Sequence, residues 1–208
     1  MIQLWTLGAE STISKLSQWN LDLLLKHRPE KPYLLDMIDS NLRRSRTNRE
    51  CKMLTIARSL GIPTPSVLWI DLVSNTLTME LISGHQLKQL VGAVPLRQLK
   101  VLCKEFGKLI ALLHRGGIVH GDPTTSNVIV DTNSKLWFVD FGLAEMNATV
   151  EMKGVDLHLM RRAFETTHWD YEDIMLEAAL KGYKSVKMKD TNVVLSRMKE
   201  IRERGRYH

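Results

Sequence analysis

His120-Gly121-Asp122-Pro123-Thr124-Thr125-Ser126-Asn127, with Asp140-Phe141-Gly142 thirteen residues after the asparagine, is the stretch on which the fold turns. A phosphoryl group in transfer asks a protein for cations or metal ions at its oxygens and for a carboxylate that orients the attacking hydroxyl or water. One acidic loop supplies most of that: Asp122 as the orienting base, Asn127 as a neutral oxygen ligand, and Asp140 as a charged one, hard donors that suit Mg²⁺. The surroundings favour a site over a chance turn. A helix ends at Gly116-Gly117 before the loop, and Val128 to Val130 and Leu136 to Val139 read as two short apolar strands around a turn at Asp131 to Ser134. The three donors thus fall at the two mouths of one hairpin.

Outward from the loop, composition sets the frame. The 208 residues are 44% hydrophobic and 25% charged, ordinary for a globular protein with a substantial core. The N-terminus shows neither a charged leader nor an apolar signal core, and no apolar run reaches spanning length, so a cytoplasmic protein with no membrane contact is expected. Cys51 and Cys103 are the only cysteines, both in helical patterns, and no Cys/His cluster has zinc spacing. The net charge of +6 is concentrated: from Lys181 to His208 there are nine Lys or Arg against three acids, nine minus three or +6, and the remainder balances. Such a tail is either a polyanion footprint or a solvated helix end. A second basic block is formed by Arg43, Arg44, Arg46 and Arg49.

The first third alternates and turns like an antiparallel sheet: Ile2 to Leu7, Ser11 to Leu16 and Leu21 to His27, then a later hairpin of Val67 to Leu72 and Thr76 to Leu81 around Ser74-Asn75. Between them Thr47 to Leu60 reads as a helix whose positions 50, 53, 54, 57 and 60 share a face. Glu50 on that otherwise apolar stripe needs a partner. Lys26, in the apolar strand Leu23 to Leu25, is the expected one, leaving its ammonium aimed at nucleotide phosphates. After Ser83-Gly84 the pattern turns helical: a long amphipathic helix opening at Pro95, then Val155 to Phe164, Tyr171 to Lys181 and Asp190 to Arg204. The expected fold class is therefore α+β and bilobal, with a β-rich N lobe (1–83) carrying one main helix and an α-helical C lobe (84–208) that ends in the basic helix and tail. A cleft between lobes is a favoured ligand site, with an adenine expected against the backbone of Met79-Glu80-Leu81.

The order Lys26, Glu50, His120-Gly121-Asp122, Asn127, Asp140-Phe141-Gly142 resembles the protein kinase fold along nearly the whole chain. It departs from the regulated members: Gly8-Ala9-Glu10-Ser11 carries one glycine where a glycine-rich lid is usual, Gly121 stands in place of the arginine that reads a phosphorylated activation loop, and no Ala-Pro-Glu follows Asp140. These features look like the RIO-like atypical kinases and, more narrowly, the small kinase of the KEOPS complex, the PRPK family. The matching stretches are Gly8-Ala9-Glu10, Leu25 to Lys31, Arg46 to Glu50, Gly61-Ile62-Pro63-Thr64-Pro65, the Thr124-Thr125-Ser126-Asn127 loop and the tail Arg204-Gly205-Arg206, with Pro123 replacing a common leucine.

That resemblance implies an ATP- and Mg²⁺-dependent Ser/Thr kinase or ATPase that supports threonylcarbamoylation of adenosine in tRNA. It implies catalytic roles for Asp122 and Lys26, nucleotide contacts from Gly8, Glu10, Lys26, Glu50, Glu80, Asn127 and Asp140, metal ligation by Asn127 and Asp140, and a bracing role for Asp156. The implied partners are a sugar-kinase-like threonylcarbamoyltransferase subunit, to which such kinases are fused in some archaea, a small regulatory subunit on the N lobe, and tRNA through the basic tail. Two other readings stay open: a nucleotide-sensing scaffold without required catalysis, and a small-molecule phosphotransferase, whose acceptor would normally need a larger helical region.

Overall fold

The computed structural model describes residues 2–7, 11–18 and 20–204. Gly8 and Glu10 of the expected phosphate lid, and the tail from Gly205 onward, lie outside the described residues. Five antiparallel strands form one sheet, β1 (Ile2–Leu7), β2 (Thr12–Gln18), β3 (Leu21–His27), β4 (Val67–Asp71) and β5 (Thr76–Glu80), in the order β1-β2-β3-β5-β4. The late hairpin turns on Asn75, whose φ of 51° asparagine tolerates better than most residues. It docks through its second strand, so that Leu24 faces Met79 and Lys26 faces Leu77.

Helix α1 (Asp36–Ser59) lies between β3 and β4. Its buried face carries Thr47, Glu50, Met53, Leu54 and Ala57, as the spacing predicts, but Leu60 is the exposed C-cap rather than a member of the stripe. The helix also starts eleven residues before the expected Thr47. Its 24 residues span about 36 Å, and the extra turns expose Met37 and Ile38 instead of burying them. What supports them is local: Asp36 and Asp39 at the positive end of the helix dipole, and an Arg43–Asp39 pair four residues apart at 2.6 Å.

The remaining chain is mostly helical. Short strands β6 (Gly84–Gln86), β8 (Val128–Asp131) and β9 (Leu136–Phe138) make a small sheet, and β7 (Ile118–Val119) pairs with β10 (Glu145–Met146). Around them pack α2 (Leu87–Leu90), α3 (Leu96–Arg115), α4 (Val150–Thr167), α5 (Glu172–Ser185) and α6 (Thr191–Arg204). α4 begins five residues before the expected Val155 because Thr149 caps it, its hydroxyl accepting from the Met152 N–H at 3.2 Å. α3 buries the apolar face read from the sequence, including Leu99, Phe106, Ile110 and Leu113. It crosses α5 where glycine alone fits: a Cβ at Gly107 would overlap the Ala179 carbonyl, and one at Gly182 would overlap that of Lys104. One contiguous core runs from Met53 and Leu77 under the sheet to Met175 and Met198 among the helices. Among the described residues no helix is long and apolar enough to cross a membrane.

Candidate active site

Strand alternation does the first part of the assembly. Residues 24, 26 and 28 project from one face of β3 and its extension, and Leu24, Lys26 and Arg28 all line a cleft of about 840 Å³ whose opposite wall includes Asp122, Asn127 and Asp140. The Lys26 ammonium meets Glu50 Oε1 at 2.8 Å, the pair expected from the helix stripe, and Asp140 Oδ1 at 2.7 Å. Lys26 and Glu50 are buried, whereas the Asp140 side chain is 47% exposed to the cleft. Desolvation pushes the Asp140 carboxyl upward, but Lys26 and then Arg28 outweigh it and hold the group below the usual carboxylate range.

The hairpin of β8 and β9 sets the other donors. Asn127 closes a 3₁₀ turn and donates its Nδ2–H to the Asp122 backbone carbonyl at 3.0 Å and to Asp122 Oδ2 at 2.8 Å, which leaves its Oδ1 for a ligand. Asp140 has a φ of 60°, a conformation uncommon outside glycine that tends to persist at functional sites. Phe141 is fully buried with its ring 4.6 Å from that of His120, and this anchorage turns the neighbouring Asp140 toward the cleft.

Asp156 fixes the loop from beneath. Its Oδ1 accepts the Gly121 N–H at 2.8 Å, and its Oδ2 accepts the His120 N–H at 2.9 Å and lies 3.0 Å from His114 Nε2. His114 Nδ1 is in turn 2.8 Å from the Tyr183 hydroxyl. Burial raises the Asp156 carboxyl, and the His114 hydrogen bond together with the further pulls of His114 and His120 overcomes that, so the group sits below its ordinary value. The His120 ring is pushed down by burial against weaker upward pulls from Asp156, Asp140 and Asp122, and is held neutral. Gly121 has a φ of 80°, and a Cβ there would overlap the Leu143 backbone carbonyl. The glycine therefore lets the segment after Asp140 lie directly on the loop, and pairing of β7 with β10 ties that segment down.

Glu80 is among the residues that line the cleft, but its carboxylate is turned to Ser66. Its carboxylate accepts from the Ser66 N–H at 3.0 Å and hydroxyl at 2.9 Å, the Glu80 N–H goes to the Ser66 carbonyl, and the Leu81 N–H goes to the Asp22 carbonyl. Two backbone donors expected to meet an adenine are thus already paired with other backbone carbonyls, although Met79, Glu80, Leu81 and Ile82 line that end of the cleft. Among the described residues no three His, Cys, Asp or Glu side chains gather to hold a metal. Asn127 and Asp140 alone fit an ion such as Mg²⁺, which keeps several waters and takes further oxygens from phosphates.

Sequence reasoning missed Arg28. It is buried, its Nη2 donates to Glu50 Oε2 at 2.6 Å, and its Nη1 is 3.3 Å from Thr47 Oγ1. The signal was available: residues two apart on a strand share a face, so a cation two positions beyond Lys26 points at the same helix.

A five-stranded antiparallel sheet with one long helix, packed on a helical bundle across a cleft that gathers Lys26, Glu50, Asp122, Asn127 and Asp140, defines a protein-kinase-like chain. Solved structures agree on the fold: two of the bifunctional kinase-methyltransferase WbdD superpose with TM-scores of 0.56 and 0.58 over 91% and 93% of this chain, 47% and 49% of theirs, at 18% identity. The chain belongs to the RIO domain family, whose model matches residues 28–173. It is 40% identical to the KEOPS complex subunit Bud32 of Pyrococcus abyssi over 96% of this chain and 94% of that protein. It is 37% identical to a probable serine/threonine-protein kinase BUD32 homolog of Archaeoglobus fulgidus, over 97% of this chain and 94% of that one. A probable bifunctional tRNA threonylcarbamoyladenosine biosynthesis protein of Methanococcus maripaludis is 36% identical over 96% of this chain, which spans 35% of its length.

Proposed function

We propose that this chain is an ATP-dependent Ser/Thr kinase or ATPase subunit of a KEOPS complex, supporting threonylcarbamoyladenosine modification of tRNA. The observation that carries the reading is the meeting of Lys26, Glu50, Asp122, Asn127 and Asp140 in one cleft of a chain that spans 94% of a Bud32 subunit at 40% identity. In this reading Lys26 exchanges Asp140 for the nucleotide phosphates. Asp140 and Asn127 Oδ1 hold Mg²⁺, and Asp122, kept in place by Asn127 Nδ2, accepts the proton of the attacking hydroxyl or water. Bound Mg²⁺ would supply charge neutralisation at the transferring phosphoryl group.

We assign residues 1–83 to an N-terminal kinase lobe and residues 84–208 to a C-terminal one. Bifunctional relatives of which this chain matches about a third support a threonylcarbamoyltransferase subunit as the principal partner, beside a small regulatory subunit on the N lobe. The basic residues of α6 and the tail are assigned to tRNA, and the compartment to the cytoplasm. The seven residues between Gly142 and Val150 favour a second reading, a nucleotide-sensing scaffold, since they leave little platform for a protein substrate.

Turnover of Mg-ATP is measured for the chain alone, with its threonylcarbamoyltransferase partner, and with tRNA added. The catalytic reading expects a rise with the partner and loss in Asp140→Ala. Unchanged turnover in Asp140→Ala overturns it, and retention of tRNA modification by Asp122→Ala in the reconstituted complex favours the scaffold.

A further inference from the structure

Glu50 divides its carboxylate between two cations. Oε1 accepts from Lys26 at 2.8 Å and Oε2 from Arg28 at 2.6 Å, and Lys26 also holds Asp140 at 2.7 Å. The four charges sum to zero, and three of them, on Lys26, Arg28 and Glu50, are buried, where an unpaired one would be costly. A nucleotide phosphate in this cleft would compete with Asp140, and in part with Glu50, for the Lys26 ammonium. A glutamate left with no other cation would draw the ammonium back. Arg28 is placed to prevent this, for it touches three elements at once: β3, whose line it continues; α1, through Glu50 and through Thr47 Oγ1 at 3.3 Å; and the Asp140-Phe141-Gly142 turn, where its Nη2 lies 3.1 Å from the point a Cβ of residue 142 would occupy. Its own backbone N–H is fastened to the Asn75 carbonyl at 3.1 Å, and its Nε is buried with no hydrogen-bond partner among the described residues, so the side chain is held by its two terminal nitrogens.

We propose that Arg28 is a positioning residue that holds Glu50 and α1 in place so that Lys26 can leave Asp140 for the nucleotide phosphates. The inference rests on the reading of the cleft as a nucleotide site. In regulated kinases the lysine–glutamate pair is governed by activation-loop phosphorylation and helix placement. Here Gly121 cannot read a phosphate, and a second buried cation keeps the pair assembled.

The test compares wild type, Arg28→Gln, Arg28→Lys, Glu50→Gln and the Arg28→Gln/Glu50→Gln double variant as full-length chains in the reconstituted complex, with Mg-ATP as probe and thermal unfolding in parallel. Arg28→Gln is expected to lose tenfold or more in kcat with KM for ATP within threefold, and Arg28→Lys to recover most of that loss. The double variant is expected within twofold of Glu50→Gln, because both changes act through the same carboxylate. Wild-type turnover in Arg28→Gln, losses that multiply in the double variant, or an Arg28→Lys as impaired as Arg28→Gln would each overturn the proposal. Should Arg28→Gln fail to fold, the kcat of Arg28→Lys decides: a drop above tenfold counts against it. Amide hydrogen exchange over residues 47–54 without nucleotide is a separate reading, expected faster in Arg28→Gln and in Glu50→Gln. If wild type itself turns over no ATP the functional reading fails, and the exchange result still decides whether Arg28 holds α1.

Discussion

The two walls of the cleft are built on different principles. On the sheet side Lys26, Arg28 and Glu50 are held by charge, through side-chain tips that can trade partners without moving backbone, and Lys26 reaches across the cleft to Asp140. On the helical side the loop from His120 to Asn127 is fixed through backbone: two N–H groups on Asp156, a carbonyl against Gly121, and helices crossing on glycines. In the proposed cycle, the groups that would change partners are mounted on exchangeable contacts, and the group that would have to stay aligned is mounted on contacts with no alternative.

Substitutions in the helical wall should therefore damage the fold, and those in the sheet wall the chemistry. The largest effect is expected at the α3–α5 crossing. In Gly182→Ala a methyl meets the Lys104 backbone carbonyl, which cannot swing aside, and chemical denaturation should show more than about 3 kcal/mol lost. Asp156→Asn comes next, with about 3 kcal/mol lost because a buried acceptor of several donors is crippled, and turnover falling with it. Lys26→Met is its counterpart: Glu50 keeps Arg28, so unfolding shifts by less than about 1 kcal/mol while turnover drops about 100-fold. Were Lys26→Met to unfold the chain, the contrast between the walls would be broken.

Gly121→Ala sharpens it, combining a strained φ with a blocked approach to Leu143, for about 2 kcal/mol and a matching loss of turnover. The smallest effect is a pH slope. Burial pushes His120 and His168 below their ordinary 6.5, so the unfolded chain binds these protons first as pH falls. Stability should be full above about pH 7, decline as pH drops through 6.5, and decline less steeply in His168→Gln.

Much of this arrangement was legible in the sequence wherever one residue type at one spacing had a single physical use. The hairpin after Asp122 carried its two short apolar runs around a turn, the α3 stripe its helical period, and Glu50 on an apolar face its demand for Lys26. The N-terminal turns of α1 were not legible, because a helix stabilised by its dipole and by local pairs has no apolar period to read. Nor were Gly107 and Gly182. A glycine inside a helix is a weak position until the neighbouring helix is in place, and only the crossing reveals that it is required. Arg28 stood only inside the matching stretch Leu25 to Lys31, and no role was read for it. For Glu80 the sequence showed a place at the cleft but not that Ser66, just before β4, claims its carboxylate.

The contact between Gly121 and the Leu143 carbonyl also bears on how such a chain can diverge. An arginine cannot enter position 121 while residue 143 occupies that space, and moving residue 143 first would strip the loop of its cover and gain nothing. Phosphorylation control would have to be acquired in two steps, the first of them harmful. A lineage that begins from this packing is therefore steered toward borrowing its switch from other chains rather than growing one of its own.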